Sequence, residues 1–156
     1  MGIHDRTPQV RHIDPDLLPA TTHSYLARAA GSLSEAVTAE DAATRYASAH
    51  VAALRAAAAL LAARARPHDR GRRRPQRNAW VLLAEVAPEL GEWATFFAAG
   101  AGKRSAAESG SERAVSAREA DDLVRDADRF LGLVEQSLGL TPHLDVDITR
   151  SARVAG

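Results

Sequence analysis

The chain has 156 residues, with 20 basic and 20 acidic side chains and a formal net charge of zero. This length predicts one domain, and the balanced charge argues against a globally basic nucleic-acid binder and against an acidic disordered tail. The sequence contains no cysteine, which excludes disulfides, thiolate nucleophiles and cysteine-based zinc or iron–sulfur sites.

Two alanine-rich helices are predicted after a flexible leader at residues 1–18, which has no periodic pattern. The first helix covers residues 20–37, where apolar side chains recur every three or four positions. The second covers about 39–65, and Thr38 is its expected N-cap. The apolar stripe of this second helix contains Tyr46, His50, Leu54, Ala57 and Leu61.

A basic segment follows at residues 64–77, and Pro67, Gly71 and Pro75 exclude a regular helix there. We therefore expect an arginine-rich loop between the second and third helices. Such a loop can bind the phosphates of a nucleic acid, or its side chains can pair with nearby glutamates or lie in water. Only Asp69 interrupts the positive charge. The arginines are Arg64, Arg66, Arg70, Arg72, Arg73, Arg74 and Arg77.

Two further helical regions complete an all-α bundle of four to five helices. The third region covers about 78–100, begins at the potential cap Asn78, and is broken near Pro88. The last helix begins at a capping box formed by Ser116 and Glu119 and ends near residue 138. Between them, the Gly- and Ser-rich residues 100–115 are predicted to form a flexible connection.

The helical domain is expected to cover residues 19–140, followed by a tail at residues 141–156. The longest run without a charged residue, Leu17 to Ala27, is too short for a membrane span, which needs roughly 18 apolar residues. The N-terminus lacks the layout of a secretory signal. These features predict a cytoplasmic protein that does not enter a membrane.

No metal and no cofactor are predicted, because the six histidines are scattered and no pair has the i, i+4 spacing that places two ligands on one helix face. Glu85, Glu89 and Glu92 have spacings of four and three, which would align them on one helix face. This acidic row is either a metal or acid–base cluster, or a solvated face that pairs with the arginines.

Three segments together resemble the HEPN domain, namely residues 24–36, 45–64 and 77–101. The resemblance extends over roughly 20–140, and it is closest to an actinobacterial branch of small stand-alone HEPN-like proteins. It implies an α-helical bundle that is commonly a homodimer. Many members are metal-independent ribonucleases, or partners that bind RNA or nucleotides in toxin–antitoxin, defence and repair systems.

Active members of that family carry an arginine, four to six residues, and then a histidine, which Arg45 and His50 match. In such a site His50 would transfer a proton and Arg45 would hold the phosphate. Five residues along a regular helix, however, place the two side chains roughly 140° apart. The alternative is that His50 is a core residue and that Arg45 pairs with Asp41 on the surface.

Whether the protein is an enzyme is left open by the sequence, and three functions follow. The first is a non-catalytic module that binds nucleic acid, nucleotide or protein. The second is a metal-independent endoribonuclease that uses Arg45 and His50. The third is a structural adaptor in a DNA-repair or toxin–antitoxin type of system. The expected partners are RNA or another nucleic acid, and a second copy or another protein.

Overall fold

The computed structural model describes residues 17–64, 78–111 and 113–146. Within these ranges it contains six α-helices, a 3₁₀ turn at Pro88–Leu90 and no strand, which confirms the predicted all-α bundle. The helices are α1 (Ala20–Thr38), α2 (Ala42–Arg64), α3 (Ala79–Val86), α4 (Gly91–Ala99), α5 (Ala101–Glu108) and α6 (Ala117–Ser137).

Helix α2 lies at the centre of the bundle, because its alanines allow neighbouring backbones to come close. Ala49, Ala53 and Ala56 are fully buried. Helices α1 and α6 pack most extensively along α2, and α3 and α5 also contact it. The buried hydroxyl of Thr22 donates to the carbonyl oxygen of Ala59 at 3.0 Å, which ties the start of α1 to the second half of α2.

The same helix is the one described helix that is long and apolar enough to cross a membrane by length and composition, with a mean hydropathy of 1.3 over its best window. Half of that window is buried inside the bundle. The buried central helix of a soluble helical bundle has the same composition.

The boundary between α1 and α2 differs from the prediction. Thr38 is the last residue of α1, and its hydroxyl donates back to the carbonyl oxygen of Ser34 at 3.0 Å. The cap of α2 is Asp41, whose carboxylate accepts a hydrogen bond from the backbone N–H of Thr44 at 2.9 Å. A carboxylate at this position stabilises the helix both as a hydrogen-bond acceptor and as a negative charge beside the helix dipole.

Four other boundaries match the predictions. The side chain of Asn78 accepts from the backbone N–H of Trp80 at 3.0 Å and caps α3. The break at Pro88 separates α3 from α4. Ser116 and Glu119 form the complete capping box at the start of α6, and Gly139 follows the end of that helix with a positive φ of 76°.

The expected flexible connection at residues 100–115 is wrong for its first half, which forms helix α5. Contacts with distant residues explain the difference. Ala107 is buried, Lys103 pairs with Glu119 of α6, and α5 packs against α2. These contacts compensate for the low intrinsic helix preference of the glycines and serines.

Several predictions fall outside the described residues. They concern most of the leader, all of the basic segment except Arg64, and the end of the tail from residue 147. The predicted domain limits, with a helical domain at 19–140, also stay predictions. Residues 141–146 are described, and they lie along α6 through contacts given below.

Candidate functional site

A pocket opens beside the first half of α2, where α4, α5 and α6 meet it. Its volume is about 230 Å³. The side chains of Tyr46 and His50 form part of the wall, and Phe96 stands at the opening with 47% of its surface exposed. The lining also includes Gly100, Lys103 and Leu123.

His50, the histidine of the predicted catalytic pair, is only 1% exposed. Its Nε2 lies 2.9 Å from the carbonyl oxygen of Phe97, so that nitrogen must carry the proton and donate it. The rings of Trp80 and Phe97 both meet the imidazole edge-on, with centroids about 6 Å away. Burial lowers the pKa of His50 although the bond to Phe97 opposes this effect, and the ring is therefore neutral at pH 7.

Arg45, the other predicted catalytic residue, is held by two partners on different elements. Its Nη1 lies 2.6 Å from a carboxylate oxygen of Asp121 on α6, and its Nη2 donates to the carbonyl oxygen of Ala39 at 2.8 Å. The carboxylate of Asp41, the expected surface partner, caps α2, and besides its hydrogen bonds with Thr44 the charge of Arg45 contributes to lowering its pKa. Arg45 therefore stabilises the junction between α1, α2 and α6.

The structure does not bring Arg45 and His50 together. The guanidinium of Arg45 points to α6, whereas the imidazole of His50 points to α4. This divergence agrees with the angle of roughly 140° expected between positions five residues apart on a helix.

Gly100 allows the close packing of the pocket wall. A Cβ atom at this position would lie 3.0 Å from the hydroxyl of Tyr46 and 3.6 Å from the imidazole of His50. Sequence reasoning missed this role, because Gly100 was considered only as the first residue of the Gly- and Ser-rich connection at residues 100–115. The feature that could have indicated this role is a glycine, which has no side chain, at the junction between α4 and α5.

The charged side chains near the pocket are paired. Lys103 binds Glu119, Arg45 binds Asp121, and Arg104 lies 3.8 Å from Glu108. Burial raises the pKa of the Tyr46 hydroxyl, and the nearby Lys103 opposes this effect. The surface around the pocket thus combines an apolar centre with charges that are already neutralised.

The acidic row is divided between three elements. Glu85 belongs to α3, Glu89 to the 3₁₀ turn and Glu92 to α4, so a single helix face does not align them. Glu89 pairs with Arg64 at 2.6 Å. For this arginine, the structure thus shows the pairing with a nearby glutamate that was one of the expected alternatives. No group of three or more potential metal ligands occurs among the described residues.

A second cluster of titratable groups was missed from the sequence. His143 lies between Asp128 and Glu135 of α6, far along the chain from the predicted catalytic residues Arg45 and His50. Asp128 is the residue that could have revealed this cluster in the sequence. It lies four positions after Val124 and three before Leu131, so it shares the buried face of α6 with them. An acid at a buried helix position requires a partner.

Comparison with family models gives a match to the HEPN_SAV_6107-like HEPN domain over residues 36–135, which is more than half of the chain. The matched region contains the pocket, Arg45 and His50. Neither the comparison with curated proteins nor that with solved structures gives a match. The family match agrees with the all-α bundle and with the resemblance noted in the sequence, and the chain belongs to the HEPN_SAV_6107-like HEPN family.

Proposed function

We propose that the protein is a non-catalytic binding module of the HEPN family, and that its ligand is a nucleic acid. The burial of His50 is the observation that carries the non-catalytic part. A general base must come within hydrogen-bond distance of the proton that it removes. His50 is 1% exposed, its Nε2–H is engaged by Phe97 and its Nδ1 is buried, so neither ring nitrogen is presented to a ribose hydroxyl.

The position of Arg45 supports the same proposal. A phosphate-binding arginine offers its N–H donors to the phosphate oxygens. The two terminal nitrogens of Arg45 are already bound to Asp121 and Ala39. Binding a phosphate there would break an ion pair and a backbone contact between helices.

The nucleic-acid part of the proposal depends on the composition of the basic segment. Residues 64–77 contain seven arginines and one acid, and they follow directly after α2. Arg64 is paired with Glu89, so the six arginines from Arg66 onward are the candidates for phosphate contacts. Their binding would be independent of base sequence and sensitive to salt.

Two measurements with single-stranded RNA of mixed sequence test this function. In excess EDTA, we expect a denaturing gel to show intact RNA with the native protein and with an Arg45→Ala/His50→Ala variant alike. Fluorescence anisotropy with labelled RNA should show binding that weakens as salt increases. Replacing Arg72, Arg73 and Arg74 with alanine should weaken this binding and reduce the slope of log K against log salt by about 2, at roughly 0.7 per lost contact.

The matched control removes three exposed arginines of α6, namely Arg118, Arg125 and Arg129, and should leave the slope nearly unchanged. RNA cleavage by the native protein but not by the double variant would establish the metal-independent endoribonuclease instead. If no RNA is cut or bound, the proposal is wrong and the adaptor in a DNA-repair or toxin–antitoxin type of system becomes the leading function.

A second copy of this chain is the partner that we propose for the pocket. Phe96 offers an exposed ring beside the apolar pocket, which is the arrangement of an anchor residue at a protein interface. Because the nearby charges are paired, two such surfaces can meet without repulsion. The same neutrality makes this surface a poor site for a polyanion.

Sedimentation velocity across a range of protein concentrations tests the homodimer. We expect Phe96→Asp to shift the protein to a monomer. Leu17→Asp is the control, since Leu17 is also exposed (77%) but lies just before the start of α1, which contacts the second half of α2 rather than the pocket. A native protein that stays monomeric, or a Phe96→Asp variant that stays dimeric, would contradict this assignment.

We also retain the cytoplasmic location and the actinobacterial branch as proposals. The excess of arginine over lysine, 19 to one, supports the branch because GC-rich genomes favour arginine codons.

A further inference from the structure

The cluster around His143 lies outside the pocket and has no part in the proposed function. Residues 140–146 follow the end of α6 and pack back against that helix, and we call them the C-terminal strap. His143 lies in the middle of the strap and packs over Gly132 of α6. A Cβ atom added at Gly132 would lie 4.0 Å from Cε1 of the His143 ring. Val146 and Leu140 pack partly buried against the core.

Both ring nitrogens of His143 face carboxylates. Nε2 lies 2.5 Å from an oxygen of Asp128, and Nδ1 is bound to an oxygen of Glu135. An ionised carboxylate can only accept hydrogen bonds, so both nitrogens must carry protons to make these contacts. The ring is therefore an imidazolium ion in the attached strap, between two negative charges.

The same two carboxylates also hold the backbone of the strap. The second oxygen of Asp128 accepts the N–H of Val146 at 3.0 Å, and Glu135 accepts the N–H of His143 at 3.3 Å. The Asp128 side chain is 9% exposed and that of Glu135 15%. Removing the proton from the ring would leave these two carboxylates close together and poorly hydrated, without a positive charge between them.

We propose that the strap is a pH-dependent clasp: the imidazolium of His143 fastens residues 140–146 to α6 through Asp128 and Glu135, and its deprotonation releases them. Release exposes the two carboxylates and the apolar core surface that Leu140 and Val146 cover. The titratable groups that face His143 are Asp128 and Glu135, both on α6. Among the described residues, no further charged side chain acts on its titration.

The direction of the pH dependence follows from linkage. Burial alone lowers the pKa of His143, but the hydrogen bonds and charges of the two carboxylates outweigh it and the pKa is raised. A group whose pKa is higher in the attached state stabilises that state fully below the detached value of about 6.5. This stabilisation is lost as the pH rises through the raised pKa of the attached state.

Solution NMR can follow the ring and the strap in the same sample of the full chain. The imidazole signals of His143 give its midpoint, and amide hydrogen exchange at Val146 gives the protection of the strap after correction for the intrinsic pH dependence. We expect protection at Val146 to fall across the midpoint of His143. The loss should be about tenfold for each unit by which that midpoint exceeds 6.5.

Three variants separate the clasp from a merely structural contact. His143→Gln should abolish the protection at Val146 at every pH, and Asp128→Asn should move the midpoint of His143 down toward 6.5. Asp145→Asn is the control, because it removes an exposed charge of the same strap and should change neither readout. The proposal is overturned if His143 titrates at or below 6.5, if Val146 stays protected through that titration, or if His143→Gln keeps the protection.

Discussion

Replacing His50 with alanine is expected to lower the melting temperature by roughly 10 °C. The substitution removes a buried side chain, its hydrogen bond to the carbonyl oxygen of Phe97 and its edge-on contact with Trp80. Losses of this kind cost about 3 kcal/mol, and each kcal/mol corresponds to about 2–4 °C for a chain of this size. Calorimetry or circular dichroism at pH 7.5 measures the change.

Two control variants test the reason for this loss. His50→Gln keeps an N–H donor near the position of Nε2, and we expect it to recover part of the stability. His23→Ala removes an exposed imidazole of α1 and should change the melting temperature by only a few degrees at most. A His50→Ala variant as stable as the native protein would return His50 to the catalytic interpretation, because it would mean that the ring does not stabilise the core.

The pH dependence gives His50 an independent signature. Its pKa is lowered in the folded protein, so its contribution to stability is complete above the unfolded pKa of about 6.5 and declines as the pH falls. In the Gln variant this part of the acid sensitivity should disappear. The clasp at His143 has the opposite sign, because its pKa is raised.

Replacing Phe97 with alanine is expected to be the most damaging single substitution, at about 4 kcal/mol or roughly 15 °C in melting temperature. The ring is fully buried and joins the aromatic side chains of three helices. Its centroid lies 5.1 Å from those of Trp80 and Phe130, and it stacks at 6.0 Å against Trp93. Thermal denaturation should show either this large decrease or no folded protein.

The neighbouring Phe96 is a matched control on the same helix. It is the same residue type and also touches Phe97, but 47% of it is exposed. At a protein concentration low enough to keep the chain monomeric, Phe96→Ala should therefore cost about 1 kcal/mol or less. If the two alanine variants lost equal stability, the aromatic cluster around Phe97 would not be the centre of the core.

Helix boundaries were predictable where a short local pattern decides them. Asn78 and Ser116 each cap the helix that follows, because the donor and the acceptor lie within three residues of each other. The break at Pro88 is equally local, since proline lacks the N–H that a helix requires. At the start of α2, two potential cap residues three positions apart competed, and the choice of Asp41 over Thr38 depended on where α1 ends.

Helix α5 was not predictable from its own residues. Its stability depends on Lys103 meeting Glu119, sixteen residues away, and on Ala107 reaching the surface of α2. The candidate site shows the same limit. The Arg45 and His50 spacing was visible in the sequence, but the partners Asp121 and Phe97 come from helices that follow much later in the chain.

The all-α class, the alanine-rich second helix and the divergence of Arg45 from His50 follow from local sequence patterns, because helix periodicity and caps depend on neighbours within one or two turns. The burial of His50 beside Phe97, the close packing at Gly100 and the binding of His143 by two carboxylates depend on contacts between distant parts of the chain. Burial and charge pairing are properties of residues that meet across the bundle, and a linear pattern does not specify which distant side chains will meet.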